Sequence, residues 1–278
     1  MLKLKKVEIL KYKSYTEKQT FKVEEDITIL VGMNESGKTA ALEVIAKTNY
    51  FQDDDDFKFN VTHDYPRREK KKMEKSNVKP DAIVCTYEIE EGLFKLIEKE
   101  LGTGALKVNS FYCTKKYSAG STWSSVLIDH NKFADFQTSK LGISSKSLNE
   151  KLAKVQTEEE LDKLIEGFEE DKYKEGLASL KKFYENEWSW STDSLSEYVA
   201  RVFLKPNLPK FLYYDEYFAL PSRISIEKLE NRTLEDGEQK TARALFDLAD
   251  IDTSELIQSS DFENFIAELE ATEAIVSL

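Results

Sequence analysis

The sequence predicts an α/β fold in which strands dominate the first half of the chain and helices dominate the second. Three observations support this prediction. Short runs within 1–31 and 81–128 alternate apolar and polar residues or are apolar throughout, as strands do. From Ser145 onward, apolar residues recur at intervals of three and four, which is the period of an amphipathic helix. Near the N-terminus, a glycine-containing segment joins an apolar run to a helix-type run and predicts a strand, a loop and a helix.

The individual elements follow from these periods. Strands are predicted at 2–9, 21–23 and 26–31, then at 81–89, and as a hairpin formed by 108–117 and 123–128. Helices are predicted from 40 to about 47, at 93–101, repeatedly after 145, and at 242–248 and 262–269. A strand at 210–215 interrupts the helical half. We therefore divide the chain into a strand-rich lobe at 1–144, a helical segment at 145–208 and a strand with helices at 209–278.

The charge is uneven along the chain. The net charge of the 278 residues is −12, yet residues 1–80 hold 17 Lys and Arg against 14 Asp and Glu. The remainder holds 23 basic against 38 acidic residues, so the chain lacks the broad basic face of a duplex-DNA binder. The basic run 67–75 is either a solvated loop or a contact for nucleic acid or phosphate. The acidic run 53–56 is typical of a surface turn, with a metal site as the alternative.

Neither a membrane span nor a secretory signal is predicted. No apolar stretch approaches the ~20 residues that a spanning helix requires, and the N-terminus lacks the apolar core of a signal peptide. Cys85 and Cys113 each lie in a strand-type run, which favours buried, reduced thiols. We therefore expect a cytoplasmic protein.

The most specific motif is the segment Gly32-Met33-Asn34-Glu35-Ser36-Gly37-Lys38-Thr39. It matches the phosphate-binding pattern G-x-x-x-x-G-K-[ST] at every fixed position and stands between a strand-type run and a helix-type run. Glycines let successive backbone N–H groups face a phosphate, Lys38 reaches the β- and γ-phosphates, and the Thr39 hydroxyl can ligate Mg²⁺. The motif predicts a nucleoside triphosphate site formed by Gly32, Asn34, Glu35, Ser36, Gly37, Lys38 and Thr39.

Several segments resemble one family of nucleotide-binding proteins. The opening residues 9–15, Ile-Leu-Lys-Tyr-Lys-Ser-Tyr, are similar to the "F-K-S-F" segment of ABC-type ATPases in the SMC/RecF group. The run 34–43 resembles the "N-E-S-G-K-[ST]-x-x-L-E" pattern of the OLD (overcoming lysogenization defect) family. Residues 64–68 resemble its "D-Y-P-R" segment, and residues 209–221 its "P-x-F-x-Y-F-D-x-Y-x-x-L-P" strand. The resemblance spans roughly residues 1–250, although only the phosphate loop is specific by itself.

The resemblance implies a fold, a ligand and partners. The fold is a P-loop NTPase of ABC type, with a mixed sheet, an antiparallel N-terminal lobe and appended helices. The ligands are ATP and Mg²⁺, with Lys13 as a second nucleotide contact by its position in the opening segment. Such ATPases self-associate as homodimers or larger assemblies, and in this family a Toprim nuclease module cuts DNA in bacterial anti-phage defence.

The chain also departs from the family pattern. It lacks an "S-G-G" signature segment, a late "D-E-P" strand end, a switch histidine and the acidic cluster of a Toprim domain. We expect it to be the N-terminal half of a longer protein, with ATP hydrolysis and nuclease activity dependent on the whole.

Residues 211–216, Phe-Leu-Tyr-Tyr-Asp-Glu, leave one catalytic alternative open. Four apolar residues before an Asp-Glu pair match a Walker B strand, where Asp215 would steady Mg²⁺ and Glu216 would polarise the attacking water. Otherwise the pair is an exposed acidic strand end.

Three further functions remain as alternatives. One is an assembly module that binds ATP without hydrolysing it, and another is a DNA-repair ATPase of the RecF or SMC type. A GTPase is suggested only by Asn131–Asp135, which is one residue too long for the guanine-reading N-K-x-D pattern.

Overall fold

The computed structural model describes residues 1–76, 80–118, 120–143, 145–167, 171–190, 193–214, 224–234, 236–248 and 253–254. The chain divides into two compact units. One unit consists of Met1–Asn49 with Lys58–Pro209, and the other consists of Tyr50–Phe57 with Lys210–Leu278. Within the described ranges, no helix has the length and apolar content needed to cross a membrane.

A five-stranded sheet organises the first unit. Its strands are β1 Leu2–Ile9, β2 Gln19–Lys22, β3 Asp81–Ile89, β4 Ser110–Lys116 and β5 Ser121–Ser124. They lie in the order β2-β1-β3-β4-β5, and every neighbouring pair is antiparallel. The protein therefore contains both helices and strands, and the strand predicted at 81–89 is confirmed. A hairpin follows it as predicted, but its second strand is Ser121–Ser124 instead of 123–128. The mixed sheet implied by the family resemblance is wrong for the described residues, whose sheet is entirely antiparallel.

One row of paired residues explains the sheet's register. Val7 lies opposite Cys85, Cys85 opposite Cys113, and Cys113 opposite Trp123. All four side chains are buried. Because side chains alternate between the faces of a strand, this row fixes which residues of each strand enter the core. Both thiols are free and buried, as predicted.

Helices cover the sheet and share its core. They are α1 Lys38–Ala46, α2 Val61–Asp64, α3 Lys70–Ser76, α4 Glu91–Leu101, α5 His130–Lys140, α6 Lys146–Leu152, α7 Glu158–Glu166, α8 Asp171–Ala178 and α9 Ser194–Val199. Ile97, Phe133, Leu152, Leu161 and Val199 belong to one buried cluster with the strand residues. The strand-rich and helical segments of the first unit therefore have a single hydrophobic core.

Helix α5 was not among the predicted helices. The Asp129 carboxylate accepts the backbone N–H groups of Asn131 and Lys132 at 3.1 and 3.3 Å, and so caps the helix at its first turn. The N-K-x-x-D segment considered as a guanine-reading loop consequently lies inside a helix. This placement removes the structural basis of the GTPase alternative.

The predicted strand at 26–31 is wrong for the described structure. Residues 27–31 belong to none of the described strands, and among described residues their backbone groups make no hydrogen bond. Ile27, Ile29, Val31 and Met33 are 74, 76, 86 and 84 % exposed. The apolar alternation is real, but a strand also needs a hydrogen-bonding neighbour, and the described sheet supplies none here. We call these four residues the apolar strip.

The second unit brings aromatic residues from two parts of the chain together. Tyr50 stacks on Phe57 with ring centroids 3.6 Å apart, and the Phe51 N–H donates to the Phe211 carbonyl at 3.1 Å.

The described helices of the second unit are α10 Ile226–Glu230 and α11 Asp236–Leu248, which confirms the helix predicted at 242–248. Residues 210–214 form only an isolated bridge, Tyr50 with Phe211, rather than the predicted strand. The helix predicted at 262–269 lies outside the described residues.

Candidate functional site

The predicted phosphate loop turns sharply through two left-handed residues. Glu35 has a φ of 64° and Gly37 a φ of 94°. The Ser36 N–H donates to the Met33 carbonyl at 3.3 Å and closes the turn. Alternation between right- and left-handed residues aims successive N–H groups into one concave surface, which is the arrangement that binds anions.

Helix α1 begins directly after this turn. Gly37 is its N-cap and provides no side-chain cap, and the N–H groups of Lys38, Thr39 and Ala40 have no hydrogen-bond partner among described residues. The helix is anchored because Ala41 and Val44 are buried. The N-terminal end of α1 therefore presents unpaired donors and a partial positive charge to the loop. Leu42 of the same helix is 50 % exposed.

Lys38 holds its charge at the loop without an acidic partner. Its Nζ donates to the carbonyls of Gly32 and Met33 at 2.8 and 2.7 Å, and to Ser36 Oγ at 3.4 Å. No ion pair involves Lys38 among the described residues. Neutral carbonyls do not cancel an ammonium charge, and a phosphate makes a stronger, charge-assisted hydrogen bond. Lys38 can therefore serve an anion in the loop.

The same segment offers one ligand for a metal. Thr39 is exposed at the first turn of α1, next to Lys38 in sequence. Among the described residues, no group of three His, Cys, Asp or Glu side chains could hold a metal ion. In phosphate-binding loops of this pattern the Ser or Thr hydroxyl ligates Mg²⁺, which keeps several waters and also binds phosphate oxygens, so Thr39 fits that role.

The loop and the opening segment enclose one cavity of about 480 Å³. Its lining includes Lys13 and Ser14, residues 34–40, and Glu43. Lys13, predicted as a second nucleotide contact, thus lies beside the loop although it precedes Gly32 by 19 positions in the chain. The Lys13 ammonium forms an ion pair with Glu43 of α1. No role was predicted for Glu43, and this ion pair joins the opening segment to the loop's helix.

Gly37 is required where Tyr15 and the loop meet. The Tyr15 hydroxyl donates to the Gly37 carbonyl at 3.1 Å, and burial raises the pKa of Tyr15, which keeps the donor protonated. A Cβ atom on Gly37 would lie 3.0 Å from Ser14 Oγ and 3.2 Å from the Tyr15 ring. The positive φ and the close approach both exclude a side chain at this position.

A buried ion pair, missed by sequence reasoning, fixes the "D-Y-P-R" segment beside α1. Lys47 Nζ donates to both oxygens of Asp64 at 3.1 and 3.0 Å, and the side chains are 5 % and 2 % exposed. The Asn60 N–H donates to Asp64 Oδ2 at 2.8 Å, and the Lys13 N–H donates to the Asp64 carbonyl at 2.6 Å. Asp64 therefore connects the end of α1 to the opening segment. The resemblance marked Asp64, but no pattern in the sequence identified Lys47 as its partner.

The loop cavity has carboxylates of its own, distinct from the two candidate catalytic residues. Asp215 and Glu216 lie outside the described residues. The carboxylates that line the loop cavity are Glu35 and Glu43, and Glu43 is already paired with Lys13. The described site thus contains donors for phosphate, whereas the Walker B assignment remains a prediction.

The acidic run belongs to the second unit. Asp55–Phe57 forms a 3₁₀ turn, in which the Asp56 N–H donates to Asp54 Oδ1 at 3.0 Å. In the same unit, Arg232 and Arg243 line a cavity together with these aspartates. Basic side chains beside the run make it an ionic surface turn rather than a cation site.

Comparison with known proteins adds no further assignment: no protein-family profile, no curated protein and no solved structure matches this chain. The residues of the loop and their geometry therefore carry the functional argument.

Proposed function

We propose that this chain binds Mg·ATP through residues 32–39 and forms the nucleotide-binding part of a P-loop ATPase of ABC type, similar to the OLD family. One observation carries the proposal. The loop combines unpaired N–H groups at the start of α1 with a Lys38 that has no acidic partner among described residues. Local sequence and local geometry thus favour the same ligand, a polyphosphate.

Each residue of the site has a defined task in this proposal. The N–H groups of residues 34–39 bind phosphate oxygens, Lys38 balances charge on the β- and γ-phosphates, and Thr39 ligates the metal. The bound Mg²⁺ would neutralise developing charge on the phosphates. Lys13 lies in the same cavity wall and forms the second contact, while Glu43 orients it.

Hydrolysis belongs to the complete protein in this proposal. Turnover requires a base for the attacking water, a role assigned to Glu216 with Asp215 at the metal. A Toprim nuclease module acting on DNA, gated by the ATPase for anti-phage defence, is proposed only as a partner of this chain and not as an activity within it.

Binding of Mg·ATP to wild type and Lys38→Ala tests the proposal directly. Loss of the charge-assisted contact should weaken binding by about 1.5–3 kcal/mol, or tenfold or more. Lys71→Ala is a matched control, because Lys71 is an exposed lysine of α3 that does not line the loop cavity. Equal affinity of wild type and Lys38→Ala in calorimetry would refute the phosphate site.

Turnover measured on the same proteins assigns the catalytic residue. Phosphate release abolished by Lys38→Ala would place a catalytic carboxylate within this chain, and Glu216→Gln would then be the next variant. Binding without phosphate release would assign the carboxylate to a part of the complete protein outside these 278 residues.

The apolar strip favours a second candidate, an ATP-dependent assembly module. Four exposed apolar side chains at alternate positions immediately precede and enter the phosphate loop. Within the described residues the backbone of 27–31 makes no hydrogen bond, so this segment has donors and acceptors free to pair with a strand from a binding partner. Because the strip continues into the loop, covering it would be linked to nucleotide binding. Sedimentation with and without Mg·ATP tests this candidate, and one unchanged monomeric species in both conditions argues against it.

A further inference from the structure

A second cavity adjoins the loop cavity through a shared wall. It has a volume of about 720 Å³, and Lys13 and Ser14 line both cavities. Both volumes fall in the range of roughly 300–1,000 Å³ that is typical of ligand pockets. A ligand whose phosphates occupy the loop could therefore extend past Lys13 into the second cavity.

Planar and apolar groups form this second cavity. Tyr65 and Pro66 are buried, and His63, Arg67 and Arg68 line it with exposed side chains. Neither arginine forms an ion pair among the described residues, whereas nearby Lys11 is paired with Glu69 at 2.6 Å. Guanidinium and imidazole planes stack on nucleobases, and arginine donors also suit the hydroxyl groups of a sugar.

The walls of the cavity are held in place. The hydrogen bond from the Lys13 N–H to the Asp64 carbonyl joins its two sides, and the buried pair of Asp64 with Lys47 connects it to α1. The Tyr117 hydroxyl donates to the Lys11 carbonyl at 2.8 Å, and the rings of Tyr117 and Tyr65 meet edge to face. A preformed site of this kind needs little ordering when its ligand binds.

We propose that this cavity receives the base and ribose of the nucleotide, with Arg67 or Arg68 stacking on the base, and this inference rests on the proposed phosphate site. The basic helix α3 continues from Arg68 and suggests a polynucleotide as the competing ligand. The concave shape and the wall shared with the loop favour the nucleotide, because polynucleotide backbones follow grooves and stripes of charge.

Two probes separate the base from the phosphates. Affinities for Mg·ATP and for Mg·tripolyphosphate, which lacks base and ribose, are measured on wild type and on the double variant Arg67→Ala, Arg68→Ala. The double variant should bind Mg·ATP roughly tenfold more weakly than wild type does, because stacking dominates the affinity that is lost. Its affinity for Mg·tripolyphosphate should stay within about twofold of the wild-type affinity.

Charge-matched variants isolate the stacking. Lys71→Ala, Lys72→Ala removes two positive charges from the same basic run without touching either cavity, and should bind both probes as wild type does. Arg67→Lys, Arg68→Lys keeps the charge and removes the planar groups, so it should still weaken Mg·ATP selectively. Thermal melts establish that each variant is folded before binding is compared.

Each contrary result has a distinct meaning. Equal weakening of both probes by the arginine-to-alanine variant overturns the subsite, because the arginines would then act only through long-range charge. Unchanged Mg·ATP binding, with loss of a single-stranded oligonucleotide, also overturns it and assigns the cavity to a polynucleotide. If wild type binds neither probe, or Lys38→Ala binds both normally, the phosphate site itself is refuted.

Discussion

The buried pair of Lys47 with Asp64 gives the sharpest test of how this site is built. Its side chains are 5 % and 2 % exposed, so water screens neither charge. Asp64→Asn removes the counter-charge and leaves the Lys47 ammonium buried. Breaking a buried pair in this way costs about 3–5 kcal/mol, because the remaining charge is uncompensated. This is a large share of the roughly 5–15 kcal/mol by which a domain is stable.

A double substitution distinguishes the lost pair from lost packing. Lys47→Met with Asp64→Leu replaces both charges by apolar side chains, and such replacements are often neutral or stabilising. We therefore expect the double variant to lose less stability than Lys47→Met or Asp64→Leu alone. Urea unfolding followed by tryptophan fluorescence measures this, because Trp123 and Trp188 lie in the same unit as the pair.

The same variants test whether the pair positions the nucleotide site. Asp64 also accepts the Lys13 N–H through its carbonyl, so a displaced Asp64 should move Lys13 and weaken Mg·ATP binding. The reasoning is refuted if Asp64→Asn lies within about 0.5 kcal/mol of wild type, which is the range of ordinary surface substitutions. Additive single and double effects would refute the coupling, since contacting residues are expected to deviate from additivity.

Three further predictions concern Gly37 and the two thiols. Gly37→Ala should lower the free energy of unfolding by about 1–3 kcal/mol and weaken Mg·ATP binding, because φ is 94° and a Cβ would meet Ser14 Oγ at 3.0 Å; an unchanged urea midpoint contradicts this. Burial raises the pKa of the Cys85 thiol from 9.0 to about 12, and burial also raises the pKa of the Cys113 thiol. The native protein should therefore resist a thiol reagent that labels both cysteines after unfolding. The unfolded thiol loses its proton first, so stability should fall as pH rises from about 9 towards 12, and a flat pH profile there would contradict the shift.

The strands could be predicted where alternation alone decides their faces. Val7, Cys85 and Cys113 stand in alternating runs, and the structure buries all three in one row. The run 27–31 has the same local pattern but forms no described strand. Pairing is a property of the neighbours, so a sequence window cannot reveal whether a partner strand is present.

Helix α5 shows the opposite failure. Its buried face includes Gln137 and Thr138, which weakens the apolar period that marks a helix. Its capping residue Asp129 was a readable signal, since an acceptor side chain before a helix satisfies free N–H groups. The same residues resemble the guanine-reading N-K-x-D pattern, which is typical of a loop and not of a helix.

The candidate site likewise contains residues that could be predicted from neighbouring sequence and residues that could not, because their partners are distant in the chain. Residues 32–39 are contiguous, and their spacing alone predicted a turn followed by the free end of a helix. The resemblance, rather than any spacing, predicted Lys13 beside them. The pairing of Lys47 with Asp64 joins residues 17 apart in the chain with no periodic relation, so only the folded structure reveals it.

Binding of a polyphosphate and its hydrolysis differ in the residues that they require. Binding a polyphosphate needs donors that one loop and one helix end supply, and the described residues contain them. Hydrolysis needs a base beyond the γ-phosphate, opposite the leaving group. Glu35 belongs to the loop itself and Glu43 is held by Lys13, so neither is placed for that role. The proposed polyphosphate binding therefore depends only on residues that lie close together in the chain, whereas the proposed turnover would depend on a carboxylate from a distant part of the fold or from a second copy.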